Sequence, residues 1–369
     1  MQPDTEDALA EMVRGAVGPI AVTGGGTRAI GEPEGAGLET GGLTGISLYE
    51  PGALTLVVRA GTPLAEVDKA LAAQRQRLAF EVPDLRGLLG RQGESTIGGV
   101  VAANASGPRR IQAGACRDSL LGVRFVDGAG RIIKNGGRVM KNVTGLDLVK
   151  LMAGSQGRLG VLTEVSLKVQ AVPEAAATLV VPVADAAAGV AVLTRALGSP
   201  YDVSGAAYDG RALVRIEGMA GSVAYRAGAL QALIGGDVVT GEGSAALWRA
   251  VRDVEALQGF AGAVWRISVK PTDGPKVLAG LGDVPHLLDW GGGLVWCALR
   301  DDLGTSQALR ALVAQLGGHA TRLRGAADVP SAPPEAPGVA QLTLALRRQF
   351  DPRGLFTPHL FTSGLVATA

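Results

Sequence analysis

A run of three glycines directly after a short apolar strand is the feature that most limits how this chain can fold. Residues 19–22 predict a buried strand, and the chain continues as Thr23-Gly-Gly-Gly-Thr-Arg28. The run matches the glycine pattern of a dinucleotide-binding turn, but in such a turn a helix begins directly on the loop. No helix can form here, because the chain continues as Ile30-Gly-Glu-Pro-Glu-Gly-Ala-Gly37. The loop therefore predicts a helix-free nest of N–H groups around an anion, with Arg28 adding charge. Considered alone, it is equally compatible with an ordinary flexible turn.

Two further glycine-rich runs follow in the first half of the chain. Residues 95–107 have the sequence STIGGVVAANASG, with small side chains and hydrogen-bonding groups at Thr96 and Asn104. Residues 153–160, AGSQGRLG, lead into an alternating strand at 161–169. The glycine pair of the second run permits the close approach of a flat ligand, although tight helix packing explains it nearly as well. Together the three runs predict one extended cofactor that contains phosphate.

The overall composition limits the class of protein. A length of 369 residues suits two domains, and a hydrophobic content of 47% allows a large core. A net charge of +1 and an aromatic content of 4% argue against nucleic-acid binding. Two cysteines, Cys116 and Cys297, are too few for an iron–sulfur cluster and are expected to be buried free thiols rather than a disulfide.

The sequence shows no pattern of a signal peptide and no apolar run of the roughly 18 residues that cross a bilayer. We therefore expect a cytoplasmic protein.

Hydrophobic periodicity predicts an α+β chain, with boundaries at 1–172, 173–325 and 326–369. The first part has strands at 45–50 and 54–60, a helix opened by Pro63, a hairpin at 123–135 and the strand 161–169. The second alternates helices, such as 186–197, with strands at 212–217, 263–269 and 293–299, which predicts a sheet with helices on one face. The third is a proline-rich linker and a helix at 339–350 that leads a segment back to the first part.

The order of the motifs over about residues 15–172 resembles the vanillyl-alcohol-oxidase-type, or PCMH-type, FAD-binding family. The five motifs are GGGTR, TLVVRAGTPLAEVDKAL, STIGGVVAANASG, GACRDSLLGVRFVDGAG and KNVTGLDLVKLMAGSQGRLGVLTEVSLK. In that family two α/β lobes hold FAD. The resemblance therefore implies a two-lobed PCMH-type FAD-binding domain, followed by a smaller α+β cap or substrate domain with an antiparallel sheet.

The resemblance also implies which residues contact FAD, once the family's motifs are matched to this chain. The first loop would lie at the pyrophosphate, the second run and the segment after it along the flavin, and the third run at the adenosine part. The residues implied are Gly24, Gly25, Gly26, Thr27 and Arg28, then Thr96, Ile97, Gly98, Gly99, Asn104, Gly114, Arg117 and Asp118, and finally Gly157, Gly160 and Val161.

The FAD is expected to be bound non-covalently. Some members of the family attach the flavin to a histidine in or beside the first loop, but the histidines here are His286, His319 and His359. A cysteinyl linkage through Cys116 is the remaining covalent alternative. No metal site is expected, because the histidines are too scattered for metal-ligand spacing.

Three later segments resemble the E-subunit family of bacterial glycolate oxidases, also called glycolate dehydrogenases. They are Trp265–Pro271, Leu288–Trp296 and Arg347–Phe356; the ending departs from the family's F-D-P-x-G-I-F-N-P-G-R at residues 357–359. The resemblance implies an FAD-binding subunit that helps to oxidise glycolate, a 2-hydroxy acid, to glyoxylate. Its expected partners are a larger flavoprotein subunit and an iron–sulfur subunit, through which any membrane association would arise.

The catalytic residues are not identified by any motif. Arg266 and Lys270 fall on one face of a predicted strand and are candidate cations for a substrate carboxylate, with a solvated face as the alternative. Two other functions remain open. One is a self-sufficient FAD-dependent dehydrogenase acting on an alcohol or on another 2-hydroxy acid such as D-lactate. The other is a non-catalytic structural subunit.

Overall fold

A computed structural model describes residues 1–30, 34–138, 145–325 and 329–356, and these residues form three β-sheets. The strands of the first half are β1 Ile20–Thr23, β2 Ala36–Glu39, β3 Ile46–Glu50, β4 Thr55–Arg59, β5 Gln76–Leu78, β6 Leu120–Val126, β7 Ile132–Gly136 and β8 Val161–Ala171. Its helices are α1 Glu6–Gly15, α2 Leu64–Ala72, α3 Arg86–Leu89, α4 Ile97–Ala102, α5 Arg110–Ala113 and α6 Leu148–Met152.

The second half contributes the remaining regular elements. Its strands are β9 Ala175–Pro182, β10 Val203–Tyr208, β11 Arg211–Gly218, β12 Asp237–Thr240, β13 Ala263–Ser268, β14 His286–Asp289, β15 Leu294–Leu299 and β16 His319–Arg324. Its helices are α7 Ala186–Leu197, α8 Ala220–Ile234, α9 Gly241–Arg252, α10 Gly274–Leu281, α11 Leu303–Gln315 and α12 Pro337–Phe350. None of the described helices is both long and apolar enough to cross a membrane.

The first half is built as two lobes. In the small lobe, β1 and β2 pair in parallel, and α1 packs its buried Leu9 and Val13 into the same core as Ile20 and Leu38. Hydrophobic periodicity does not predict β2, because only Leu38 of its four residues is buried and the neighbouring glycines give no alternating pattern. The large lobe is an antiparallel sheet in the order β3-β4-β8-β6-β7, with β5 paired to β8. Its predicted strands and hairpin are confirmed.

The second half is an antiparallel sheet of eight strands in the order β12-β9-β11-β10-β14-β15-β13-β16. Side chains alternate between its faces, so residues 263, 265 and 267 of β13 enter one core and residues 264 and 266 face the other way. Helices α7, α8, α10 and α11 cover the first face. The prediction of helices on one face is wrong for α9, because its Trp248 and Val251 pack on the opposite face.

That opposite face also meets the first half of the chain. Leu88 of α3 packs among residues of the second sheet there, and the space left between the two halves contains the candidate site.

The predicted last helix is confirmed and begins at Pro337, where a proline costs no helical hydrogen bond. At its end Phe350 contacts Phe125 of β6, with ring centroids 6.0 Å apart. The α+β prediction is thereby confirmed.

Candidate functional site

The three glycine-rich runs meet around one cavity of about 520 Å³ between the two halves. This volume falls in the ordinary range of ligand sites, about 300–1,000 Å³. The predicted cofactor residues that line it are Gly24, Gly25, Gly26, Thr27, Arg28, Thr96, Gly98, Gly99, Asn104, Gly157, Gly160 and Val161. The predicted residues that do not line it are Ile97, Gly114, Arg117 and Asp118.

The first loop presents unused hydrogen-bond donors to the cavity. None of the backbone N–H groups from Gly24 to Arg28 donates to a described residue, although all five residues line the cavity. Backbone donors withdrawn from water are nearly always paired in folded proteins. No helix begins on this loop, since the next regular element is β2. The loop is therefore a set of donors that suits an anion such as a phosphate.

The glycines of the first loop are required by close packing against the start of the second run and against Glu94, which precedes it. A Cβ atom on Gly25 would lie 1.4 Å from the carbonyl oxygen of Glu94, and one on Gly24 would lie 2.5 Å from Oγ1 of Thr96. Gly26 has a φ of +68°, in the left-handed region that favours glycine. The loop thus reaches its position because it carries no side chains where the two runs touch.

Arg28 ties the first loop to the second run from inside the cavity. Its guanidinium donates to the carbonyl of Pro83 at 2.6 Å, to Oγ1 of Thr27 at 3.1 Å and to Oγ of Ser95. Its Nε is buried without a partner among the described residues, and burial lowers the pKa of Arg28 from its ordinary value. Arg28 remains a cation at neutral pH and adds positive charge beside the donors of the loop.

The second run forms α4, which begins at Ile97 after the capping residue Thr96 and packs against β4. Thr96 caps the helix by accepting from the N–H of Gly99 at 3.3 Å, and a Cβ on Gly98 would lie 2.7 Å from the carbonyl oxygen of Ala60. Ile97 is fully buried in the core of the large lobe, which is why it does not reach the cavity. Gly98 thus packs tightly against Ala60 and also lines the cavity, so the tight helix packing is confirmed and the approach of a ligand stays a prediction.

Asn104 lines the cavity and accepts a hydrogen bond from the turn that contains the three remaining predicted residues. It has a φ of +46°, and its Oδ1 accepts from the backbone N–H of Arg117 at 3.0 Å. Asp118 accepts from the N–H of Ala115 at 2.8 Å, and a Cβ on Gly114 would lie 2.9 Å from the Asp118 carboxylate. Gly114, Arg117 and Asp118 thus shape a turn that supports Asn104 from outside the cavity.

The third run supplies a tight turn on the same wall. A Cβ on Gly160 would lie 2.7 Å from the carbonyl oxygen of Val126, so β8 enters the sheet close to β6. Gln156, which also lines the cavity, has a φ of +54°. The glycine pattern does not predict Gln156 as a residue of the cavity, because a left-handed backbone at a residue other than glycine leaves no signal in the sequence.

The second sheet contributes the opposite wall of the cavity. Arg266 of β13, Trp296 of β15, and Thr321 and Leu323 of β16 line it from the face opposite the α7 and α8 helices. Strand alternation in β13 places Arg266 on this face. Lys270 is not its neighbour there: β13 ends at Ser268, and Lys270 is exposed before a helical turn at Pro271–Asp273, so the prediction that the two cations share a strand face is wrong.

The other sequence candidates lie elsewhere. Cys116 and Cys297 are buried free thiols, as predicted, and burial raises the pKa of Cys297 to about 12. Cys116 belongs to the core of the large lobe and does not line the cavity. His286 stacks on Tyr208 at 6.0 Å, and neither it nor His319 lines the cavity. His359 lies outside the described residues, which contain no cluster suited to a metal ion.

Comparisons with known proteins place this geometry in a family. A family model described as an FAD binding domain matches residues 1–136. The glycolate oxidase subunit GlcE of Escherichia coli K12 is 38% identical over 365 residues, which is 96% of this chain and 97% of that protein. The glycolate oxidase subunit GlcD of Bacillus subtilis 168 is 42% identical over 85 residues, 23% of this chain and 18% of that protein.

A solved structure shows the same fold at low sequence identity. An alkyldihydroxyacetonephosphate synthase superposes with a TM-score of 0.68 at 16% identity, covering 97% of this chain and 76% of that one. This likeness shows the fold, and the family model and the relatives confirm the FAD assignment made from the motifs. The chain belongs to the PCMH-type FAD-binding flavoproteins and, within them, to the family of the glycolate oxidase subunit GlcE.

Proposed function

We propose that this chain is the FAD-binding subunit of a glycolate oxidase complex, which oxidises glycolate to glyoxylate and passes the electrons to partner subunits. The observation that carries the proposal is one cavity with a different chemistry on each wall. Unused N–H donors and Arg28 lie on the first half, and Arg266 faces them from the second sheet. The first wall suits a phosphate-containing cofactor and the second suits a carboxylate substrate.

The residues present fit FAD. In this proposal the first loop and Arg28 hold the pyrophosphate, while Thr96, Gly98, Gly99 and Asn104 lie along the flavin. Gly157, Gly160 and Val161 lie near the adenosine part. Ile97, Gly114, Arg117 and Asp118 act indirectly, by packing and by holding Asn104. When bound, FAD supplies the acceptor for the two electrons that leave glycolate.

The residues of this chain bind and orient rather than transfer protons. The ionisable side chains that line the described cavity are Arg28, Arg110 and Arg266. A guanidinium donates hydrogen bonds and stays protonated, so these three residues can hold an anion but are unsuited to removing the hydroxyl proton. We therefore assign the base to a larger flavoprotein subunit and electron transfer onward to an iron–sulfur subunit.

A first prediction concerns how the cofactor is attached. Precipitating the FAD-loaded chain with acid should release all of the flavin into the supernatant, because the one cysteine of the first half is buried away from the cavity. Absorbance at about 450 nm in the pellet and the supernatant measures this. Cys116→Ser should bind as much FAD as the unchanged chain, and a yellow pellet that disappears in this variant would show a cysteinyl bond instead.

The division of labour is tested by comparing the lone chain with the complex. We expect the FAD-loaded chain alone to reduce an artificial dye with glycolate at under about 1% of the rate of the complex purified from native cells, since a missing general base costs about 10²–10⁴-fold. Mass spectrometry should find a larger flavoprotein and a cysteine-rich subunit in that complex. Full activity of the lone chain with glycolate or D-lactate would favour a self-sufficient dehydrogenase. A complex that keeps its activity when this chain cannot bind FAD would favour a structural subunit.

A further inference from the structure

We propose that Arg110 and Arg266 together bind the carboxylate of the substrate, with the indole of Trp290 as the platform on which both lie. This assignment rests on the proposed oxidation of a 2-hydroxy acid and adds the residues that would recognise its charge. Arg110 lies in α5 of the first half and Arg266 in β13 of the second. The site therefore exists only where the two halves meet.

The two guanidinium groups share one aromatic ring. The Cζ atom of Arg110 lies 4.5 Å from the ring centroid of Trp290, and that of Arg266 lies 5.2 Å from the same centroid. Both arginines line the cavity. An aromatic face attracts a cation and supports a planar guanidinium, so the ring fixes two like charges at the cavity wall.

Neither arginine has a counter-ion in direct contact within the described part of the chain. Arg110 and Arg266 form no ion pair within 4.0 Å and no side-chain hydrogen bond with the described residues. Burial, together with repulsion from Arg110, lowers the pKa of Arg266 to about 10, although the more distant carboxylate of Asp289 attracts it. Two partly desolvated cations that repel each other at one ring, without a direct counter-ion, are unfavourable until an anion joins them.

The residue next to Arg110 shows that this lack of pairing is selective. Arg109 is turned away from the cavity and forms two hydrogen bonds with Glu217, at 3.0 and 3.1 Å. Arg215, another buried arginine, pairs with Glu81 at 2.8 Å. Among the described residues, the arginines that join the two halves thus have carboxylates in direct contact, whereas the pair that faces the cavity has none within 4.0 Å.

The platform is itself held across the junction. The Nε1–H of Trp290 donates to the carbonyl of Gly107, 183 residues away, at 3.2 Å. Its backbone has a φ of +53°, and its N–H donates to Oδ1 of Asp289 at 2.7 Å. That carboxylate is buried, which raises the pKa of Asp289 to about 7, and it forms no ion pair within 4.0 Å with either arginine. Asp289 therefore orients the platform and leaves the cations available.

The surroundings favour a small carboxylate over a bulky anion. Trp296, whose ring centroid is 6.0 Å from Cζ of Arg266, and Leu323 form an apolar wall, with the hydroxyl of Thr321 beside them. Two guanidinium groups offer enough N–H donors to engage both oxygens of one carboxylate. A short 2-hydroxy carboxylate would place its charge on the arginines and its carbon chain against the wall.

The test is an anaerobic titration of the FAD-loaded chain followed by the flavin absorbance spectrum. The probes are glycolate, D-lactate and oxalate, with glycolamide as the neutral analogue of the same size. We expect Arg110→Gln and Arg266→Gln each to weaken carboxylate binding by about 10- to 100-fold, the loss of a charged hydrogen-bond partner. Glycolamide binding and FAD affinity should change by less than about twofold. Arg110→Lys and Arg266→Lys should recover part of the loss, and Arg195→Gln, on the exposed face of α7, should match the unchanged chain.

The outcomes separate this assignment from the proposed function. If D-lactate or oxalate binds in an arginine-dependent way and glycolate does not, the carboxylate site is supported and glycolate is wrong as the substrate. If the glutamine variants weaken the binding of glycolamide as much as the binding of glycolate, the arginines do not recognise the carboxylate charge and the assignment fails. If they lose FAD instead, these residues contact the cofactor and the assignment also fails. Failure of every carboxylate to bind the unchanged chain overturns it as well.

Discussion

Replacing Glu217 with glutamine should destabilise the folded chain by about 3–5 kcal/mol, the usual cost of removing one partner from a buried ion pair. Glu217 lies on β11 and accepts from Arg109 at 3.0 Å and from Arg77 at 2.8 Å, both in the first half of the chain. Its side chain is only 8% exposed. Glutamine keeps the shape but removes the charge, so buried guanidinium groups lose their counter-ion. Urea unfolding at pH 7 measures the change.

The loss of stability should be large because each half of the chain contributes a carboxylate that pairs with at least one arginine of the other half. Glu217 of the second half pairs with arginines of the first, while Glu81 of the first half receives two hydrogen bonds from Arg215 of the second, at 2.8 and 3.0 Å. Glu81 also accepts from the backbone N–H of Arg109 at 2.7 Å. The variant therefore weakens the contact that holds the two walls of the FAD cavity together.

The pH dependence gives an independent check on the same residue. Burial by itself would raise the pKa of Glu217, but Arg215, Arg109 and Arg77 together lower it to about 2. A carboxyl group with a lowered pKa stabilises the fold above its unfolded pKa, near 4.5, and this stabilisation is lost as the pH falls from there through about 2. It amounts to about 3 kcal/mol. The difference in unfolding free energy between the unchanged chain and Glu217→Gln should therefore shrink between pH 5 and pH 2.

The matched control is a carboxylate in an exposed ion pair. Glu242 of α9 lies 2.6 Å from Arg249 and its side chain is 79% exposed. Glu242→Gln should change stability by less than about 1 kcal/mol. If Glu217→Gln at pH 7 were no more destabilising than this control, the ion pairs between the halves would not be stabilising the fold.

The sequence was informative where local periodicity decides which way a side chain points. Alternation along 212–217 and 263–269 correctly predicted two strands of the second sheet, and β13 does present Arg266 on the face opposite Trp265. It failed for Lys270, because a proline follows and the backbone turns away at Pro271. Periodicity describes a strand but does not show where it stops.

The residues that complete the site come from distant parts of the chain, which local patterns do not pair. Arg110 and Trp290 are 180 positions apart, and Arg109 and Arg110 are indistinguishable as sequence although one joins the two halves and the other faces the cavity. Their different roles arise from which carboxylates and rings the fold brings near each of them. The glycine runs were recognisable for the opposite reason, since close packing against a backbone restricts a position to glycine alone.

Replacing Gly25 with alanine should weaken FAD binding by at least about 100-fold, or about 2.7 kcal/mol. A Cβ at this position would lie 1.4 Å from the carbonyl oxygen of Glu94, a backbone atom that no side-chain rotation can move aside. The first loop must then separate from the second run, which displaces its five N–H groups together. Titration with FAD, followed by quenching of flavin fluorescence, measures the loss.

Substitutions at two other glycines should give smaller losses of FAD affinity. Gly24→Ala should lose less affinity than Gly25→Ala, because its Cβ would meet Oγ1 of Thr96, 2.5 Å away, at the end of a side chain that can rotate. Gly37→Ala, in β2 of the same lobe with no atom within 4 Å of the new Cβ, should bind FAD as the unchanged chain does. This order of FAD affinities is expected if the first loop holds the cofactor through its backbone N–H groups. If Gly25→Ala bound FAD as tightly as Gly37→Ala, the first loop would not be the pyrophosphate site, and the unused donors at residues 24–28 would need another ligand.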